Sequence, residues 1–473
     1  MAKQTETAPG GFKLNYKRTL IIGFAFFGIL LLWQVYDFWC PTFLTELFTD
    51  AFKISDEKQV QYLVGIMMAI DNLAALILLP IFGKLSDGTN TKIGKRMPYI
   101  LVGTFVCAVA FPFIPVFFHF HKVIGTIAMM MIVLIFAMMY RNPAVALMPD
   151  MTPKPLRSKA NGLINIMGYI GGAFATVLGV IFVLSQYIGE KGKAHTWAYG
   201  NIWAVETPFL IASVLMVFSA IILFLNIKEN KIAAEVKEDM ARGEAESAAA
   251  DKIAVDDESP MTKANKIMLW LILGAEFFWF MADNGVSTFL NNYIIYGLNG
   301  SSASTSLLTI IGGVGSVIGF IFGGTLAEKF SRKYTVIAGL IMTLAVYALW
   351  AILTFTVGLS GEKIPLWLIV LWFAKGFGMS LVHVNSYPMV VELCSSKKIG
   401  AFTGYYYASS MAAQTITPVL LGLLLMAPAF DWYLLPIYAG ACIAVSVTVF
   451  FFIKNVKNGK VGFKKGLEAL DND

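Results

Sequence analysis

Six ionisable side chains stand inside stretches that are otherwise apolar: the acids Asp37, Asp71, Glu276 and Asp283 and the fixed cations Arg141 and Lys375. His383 and the amides Asn165, Asn385 and Gln414 lie in the same kind of surroundings. Such groups are costly away from water unless they pair or face a wet cavity. If Arg141 balances Asp71 or Asp37, and Lys375 balances Glu276 or Asp283, two acids remain without a partner. Burial disfavours the charged form of a carboxyl group, so an unbalanced one can hold and release a proton near neutral pH. Reversible protonation is therefore the chemistry these residues offer. One proton moving down roughly 150 mV releases roughly 3.5 kcal/mol, enough to concentrate a neutral solute by roughly two and a half decades. Bond-making chemistry has no counterpart here: the chain shows no Ser/His/Asp grouping, metal-ligand spacing or phosphate loop, so no enzyme, metal or cofactor is expected. Cys40, Cys107, Cys394 and Cys442 likewise lack ligand spacing and read as small buried hydrophobes.

The elements that must position these groups are membrane-spanning helices. Of 473 residues, 57% are hydrophobic and 14% charged, with mean hydropathy +0.69, a surface that water would not tolerate. Twelve runs can cross roughly 30 Å of hydrocarbon as helices: 19–39, 61–82, 98–118, 123–148, 160–187, 203–226, 266–290, 305–327, 334–357, 364–391, 399–426 and 431–453. An even number of spans puts both termini on one side. The segments on that side hold 28 of the 36 Lys and Arg residues and the opposite loops hold six, which predicts that both termini are cytoplasmic. The net charge of +6 follows from this sidedness and implies no nucleic-acid partner. Residues 1–18 are polar and the first apolar run is too long for a cleaved signal. Asp37 keeps a second reading, in which the first helix ends near Phe38 and the acid lies at the outer surface.

The chain repeats itself. Asp150, Gly162 and Arg141 map at an offset of 242 onto Glu392, Gly404 and His383, and Gly83 and Asp87 map at 241 onto Gly324 and Glu328. Between the halves, residues 228–264 are acidic and alanine-rich and read as a partly helical linker. The expected domains are an N-terminal tail, 1–18, a six-helix bundle, 19–227, the linker, 228–264, a second six-helix bundle, 265–454, and a C-terminal tail, 455–473. Spans 5 and 8 are rich in glycine, which permits close helix approach, either at the interface between the halves or in ordinary tight packing.

The loop after span 2 reads Gly83-Lys-Leu-Ser-Asp87, then Gly94-Lys-Arg96-Met-Pro-Tyr99. This pattern resembles the cytoplasmic signature of the major facilitator superfamily. With Pro80-Ile-Phe-Gly83, Asn142-Pro-Ala-Val-Ala-Leu-Met-Pro-Asp150 leading into Ala160-Asn161-Gly162, and Ser386-Tyr-Pro388 running on to Gln414, it is similar to the glycoside–pentoside–hexuronide cation symporters and the plant-type sucrose/proton symporters. The resemblance implies an all-α membrane protein of two pseudo-symmetric six-helix bundles. There are departures. Plant-type sucrose symporters carry an arginine where this chain has Val145, one turn from Arg141, and melibiose-type symporters carry paired aspartates where it has Ala75 and Leu79. The sodium site of that branch does not carry over, which favours protons, with sodium left open.

The expected function is import of a sugar or glycoside, a disaccharide such as sucrose or maltose, by proton-coupled symport with alternating access. The protein is expected to act as a monomer in the bilayer of a bacterial inner membrane or plasma membrane. Asp37, Asp71, Glu276 and Asp283 would couple the proton, with Arg141 and Lys375 as charge partners. Sugars need aromatic faces and hydrogen-bonding groups, and Trp33, Gln34, Tyr36, Asn72, Trp279, Asn284, His383, Asn385 and Gln414 supply them. Gly83, Asp87, Gly94, Arg96, Asp150 and Arg157 would form a cytoplasmic gate. The alternatives are an exporter of drugs or metabolites on the same fold and a non-transporting sugar sensor.

Overall fold

A backbone in hydrocarbon must satisfy its own polar groups, so long apolar runs become helices. The computed structural model describes residues 12–184, 202–253, 263–357, 365–393 and 399–453. Cys394, residues 254–262 of the linker, residues 1–11 of the N-terminal tail and the whole of the C-terminal tail lie outside them. Among the described residues, twelve helical segments are long and apolar enough to cross a membrane, and there is no strand. The first six crossings are α1 (Tyr16–Phe52), α2 (Gln61–Asp87), α3 (Met97–Ala110) continued by α4 (Phe113–His119), α5 (Val123–Asp150), α6 (Arg157–Ile181) and α7 (Ile202–Asn226). The linker forms α8 (Glu229–Glu235) and α9 (Lys237–Ile253). The second six are α10 (Lys263–Asn292), α11 (Ser302–Phe330), α12 (Arg332–Val357), α13 (Leu366–Val391), α14 (Ile399–Met426) and α15 (Leu434–Phe452).

These crossings build two pseudo-symmetric six-helix bundles. In the first, α1 packs on α6 and α7, and α5 on α2 and α3; in the second, α13 packs on α11 and α12, and α10 on α14 and α15. The bundles meet where α2 crosses α14 and where α6 crosses α11. Span 2 corresponds to span 8 and span 5 to span 11 in the duplication, so these two crossings are one contact made twice. Each bundle has an aromatic centre. Phe43 stacks between Phe118 and Phe209 in the first, with centroids 4.0 and 5.8 Å away. In the second, Trp350 meets Tyr293 and Trp372 edge-on and donates its indole N–H to the Tyr293 hydroxyl at 3.1 Å.

One sequence expectation is corrected, and one pair of alternatives is decided. The first span, expected to stop at residue 39, runs on to Phe52 through Pro41. Thr42, Thr45, Glu46 and Thr49 lower the hydropathy there, yet all four are buried, and the Thr45 and Thr49 hydroxyls donate to helix carbonyls one turn back. Asp37 consequently sits near the middle of a long helix, not at its end. The glycines of spans 5 and 8 mainly serve packing inside their own bundles. A Cβ on Gly168 or Gly171 would meet Leu30 or Phe27 of α1, and one on Gly315 or Gly319 would meet Phe373 or Ser380 of α13; Gly179 faces Ser306 of the other bundle.

We call the membrane face carrying Tyr16 and Phe452 proximal and the opposite one distal.

Candidate functional site

Between the bundles lies a cavity of about 270 Å³. Trp33 and Asp37 enter it from α1, Asp71 and Asn72 from α2, Arg141 from α5, Asn284, Ser287 and Thr288 from α10, and Gln414 from α14. Seven of the predicted site residues thus converge: Trp33, Asp37, Asp71, Asn72, Arg141, Asn284 and Gln414. Ser287 and Thr288 add hydroxyls that the sequence reading did not single out. Asp37 is exposed to this space, whereas Asp71 is buried, 8% exposed. One Asp71 oxygen accepts the Tyr36 hydroxyl at 3.2 Å; the other is buried without a hydrogen-bonding partner, as are the Trp33 indole nitrogen and the Asn284 carbonyl oxygen. The Asn72 amide donates to the Gln414 backbone carbonyl at 3.3 Å, joining the bundles at the cavity wall. Arg141 lines the same cavity as Asp37 and Asp71, but no ion pair within 4.0 Å forms with either acid, in contrast to the pairing expected from the sequence.

The second bundle's charges are arranged differently. Lys375 of α13 donates to Asp283 of α10 at 2.5 Å, which settles its partner in favour of Asp283 over Glu276. Glu276 is fully buried with no hydrogen bond to either oxygen, away from the cavity lining. The remaining predicted contacts also stand off the cavity. Trp279 is buried against Phe450, His383 packs edge-on against Phe280, and the Asn385 amide donates to the Leu381 and Gly323 carbonyls. Tyr36 reaches the site only through Asp71, and Gln34 is half-buried outside the lining. A larger groove of about 400 Å³ between α3 and α7 is almost wholly apolar, with Thr104 its one hydroxyl, and offers nothing to recognise a polar solute.

Distal to the cavity, buried polar groups tie the bundles together. Thr42 donates to Asn292 Oδ1 at 2.8 Å, and Asn292 Nδ2 donates to Thr45 at 2.9 Å and Gln61 Oε1 at 3.2 Å. Asn291 donates to the Phe38 carbonyl at 3.1 Å and to Thr42 at 3.0 Å. Further out, Tyr296 donates to Glu46 at 2.5 Å and Trp432 to Glu57 at 3.2 Å, and the two rings stack. Sequence reasoning missed this network. The adjacent amides Asn291-Asn292 at the end of an apolar run were its visible signal, while Thr42 to Glu46 lay beyond the assigned end of span 1.

On the proximal face, Arg96 organises three segments. Its guanidinium donates to Asp150 at 2.9 Å, to Ser86 at 2.5 Å and to Asp87, and Lys95 adds an ion pair to Asp150 at 3.1 Å. Burial works against the Arg96 charge, but the bonds and charges of Asp150 and Asp87 outweigh it, so its pKa is raised above the usual arginine value. The second bundle repeats the motif: Arg332 pairs with Glu392 at 2.9 Å. Burial raises the Glu392 carboxyl and Arg332 only partly counteracts it. Of the other predicted gate residues, Gly83 lies against Asn142, and Gly94 adopts φ 117°. Arg157 stands apart from the cluster, donating to the Thr152 and Pro149 carbonyls.

The family described as MFS/sugar transport protein matches residues 21–417. Comparison with curated proteins gives no match. Among solved structures, the chain is similar to the xylose transporter XylE from E. coli in a partially occluded inward open conformation, with 14% identity, TM-score 0.63 and coverage of 94% of this chain and 99% of that one. It is also similar to a bacterial homologue of the iron transporter ferroportin in an inward-facing state, with 12% identity, TM-score 0.63 and coverage of 93% and 99%. A POT family transporter in complex with 5-aminolevulinic acid gives 12% identity, TM-score 0.63 and coverage of 94% and 96%. At such identities these likenesses speak to the fold alone.

Proposed function

Because the chain belongs to the MFS/sugar transport protein family, we propose that it imports a sugar or glycoside, a disaccharide such as sucrose or maltose, together with a proton. The observation that carries this reading is the convergence of Asp37, Asp71 and Arg141 with Trp33, Asn72, Asn284 and Gln414 on one cavity between the bundles. An indole face and several amides and hydroxyls suit a polyol ring. With both acids ionised and Arg141 cationic, the cavity carries one net negative charge; a single proton neutralises it. Asp37 and Asp71 are therefore the first coupling acids in this scheme. Asp283 is held by Lys375, and Glu276 is an acid remote from the solute. The sodium reading has less support, since no second acid stands beside Asp71 one or two turns along α2: those positions are Ala75 and Leu79.

The bundles, taken as 19–227 and 265–454, rock about the cavity in alternating access. The distal network around Asn292 is one gate, and Asp87, Arg96 and Asp150 form the other. The basic bias of the proximal segments supports a cytoplasmic proximal face, with both termini inside and the protein working as a monomer in a bacterial inner membrane or plasma membrane.

The test is uptake of labelled disaccharides and monosaccharides into proteoliposomes under an imposed pH gradient, a sodium gradient and neither. Accumulation of one glycoside driven by the pH gradient supports the reading. If no sugar moves and a cationic or aromatic compound leaves loaded vesicles, the protein is an exporter.

A further inference from the structure

The linker does more than connect. Glu229, the first residue of α8, is 4% exposed, and its two oxygens accept four hydrogen bonds from three consecutive backbone N–H groups. Oε1 accepts from Lys95 at 2.9 Å and Arg96 at 3.1 Å, and Oε2 from Arg96 at 3.0 Å and Met97 at 3.1 Å. These donors lead into α3, Lys95 and Arg96 just before it and Met97 as its first residue, at a helix start where geometry leaves N–H groups without partners and favours negative charge. Asn230 continues the grip, donating to the Thr91 and Lys92 carbonyls at 2.9 and 3.1 Å. Gly94 turns the chain at positive φ, and a Cβ there would collide with the Glu229 carboxylate.

Arg96 therefore works on two sides. Its backbone is held by Glu229, while its side chain holds Asp87 and Asp150. The duplicated half shows why a brace is needed here. Between α11 and α12 there is one residue, Ser331, and Arg332 is placed by the helix it opens. Between α2 and α3 the chain runs through Gly88 to Arg96, a loop with no helix to fix its course. The linker supplies the missing constraint. Its second helix stays on the same bundle: Gly243 packs on Pro153 and Pro155, and Arg242 lies over Phe12 at 4.2 Å.

We propose that Glu229 is a positioning residue for the proximal gate, holding the Lys95–Met97 backbone so that Arg96 can bridge Asp87 and Asp150. The linker thereby moves as part of the first bundle. This rests on the reading of the Arg96 cluster as a gate, and the experiment separates the two. Ser287 of the cavity is replaced by cysteine in a background without the native cysteines, and its reaction with an impermeant maleimide is timed from the proximal face. Asp87→Ala, Glu229→Ala, Glu229→Gln and the Asp87→Ala/Glu229→Ala pair are compared, with thermal unfolding as the folding control. Glu229→Ala should change the rate about tenfold, in the same direction as Asp87→Ala, with the pair changing it no more than either alone. Glu229→Gln, which keeps the shape and one acceptor, should recover part of the effect. If Asp87→Ala changes the rate and Glu229→Ala does not, or if their effects add, the brace is wrong and the gate stands. If neither changes the rate, the gate reading fails and takes the proposal with it. If both Glu229 variants fail to fold while Asp87→Ala folds, Glu229 serves folding and the proposal is overturned.

Discussion

Replacing Asn292 by alanine should open the distal face. Asn292 is fully buried and makes three hydrogen bonds to the other bundle, through Thr42, Thr45 and Gln61. Each buried hydrogen bond contributes roughly 0.5–1.5 kcal/mol net, because the groups bond to water when the bundles part. Three together favour the closed distal face by roughly 3 kcal/mol. If closed and open states stand at roughly 99 to 1, a loss of that size brings them close to parity. The assay uses a cysteine at Ser287 and an impermeant maleimide on the distal side. Reactivity should rise from about 1% of the fully accessible value to about half of it. Asn226→Ala is the control, since Asn226 is exposed and bonds only to its own helix at Ile222. Reactivity of Asn292→Ala within about twofold of the parent, with Asn226→Ala also unchanged, would refute the latch: the network would then be packing that breaks and reforms without governing access.

Other outcomes follow from the same geometry. Asp71→Asn should abolish pH-driven accumulation while leaving exchange of solute across the membrane; an undiminished, still proton-dependent rate removes Asp71 from the coupling role. Asp87→Ala should slow turnover about tenfold, roughly 1.4 kcal/mol on the barrier, with distal-side solute binding unchanged; normal turnover counts against the gate. Removing Lys375 or Asp283 alone leaves a buried charge, a loss of roughly 3–5 kcal/mol in a dry site. The side chains are 18% and 33% exposed, so about half that is expected, and Lys375→Ala/Asp283→Ala should unfold at a higher temperature than either single variant. A pair as unstable as the sum of its parts would mean that the two side chains act independently.

Much of this architecture is written in hydropathy, because a membrane leaves an apolar run few alternatives. The cavity was legible for a related reason: Asp37, Asp71 and Arg141 are conspicuous where charge is costly, Trp33 and Asn72 share the helices of the two acids, and Asn284 adjoins the equally conspicuous Asp283 on α10. Other residues were misplaced or missed. Trp279 and Asn385 have the chemistry of a sugar site, but helix rotation aims them into their own bundle, and periodicity in an all-apolar helix does not reveal which side faces the lumen. Thr42 and Thr45 were hidden because a threonine lowers hydropathy equally whether it ends a helix or bonds across an interface. Glu229 was one acid among many in a polar linker, and only the fold brings it to the start of α3.

The length of α1 bears on how easily the transporter can cycle. Its 37 residues extend about 55 Å at 1.5 Å per residue, well beyond roughly 30 Å of hydrocarbon. With Asp37 near the midpoint, Thr42 to Glu46 lie about 8–14 Å further along the axis, towards the level where acyl chains give way to headgroups. Polar groups parted there meet water within a short distance and re-form their bonds with it; parted at the midplane, they would meet lipid. In the proposed cycle, depth would therefore lower the cost of parting: amides and hydroxyls at this level can fasten the distal face and still exchange their bonds for water.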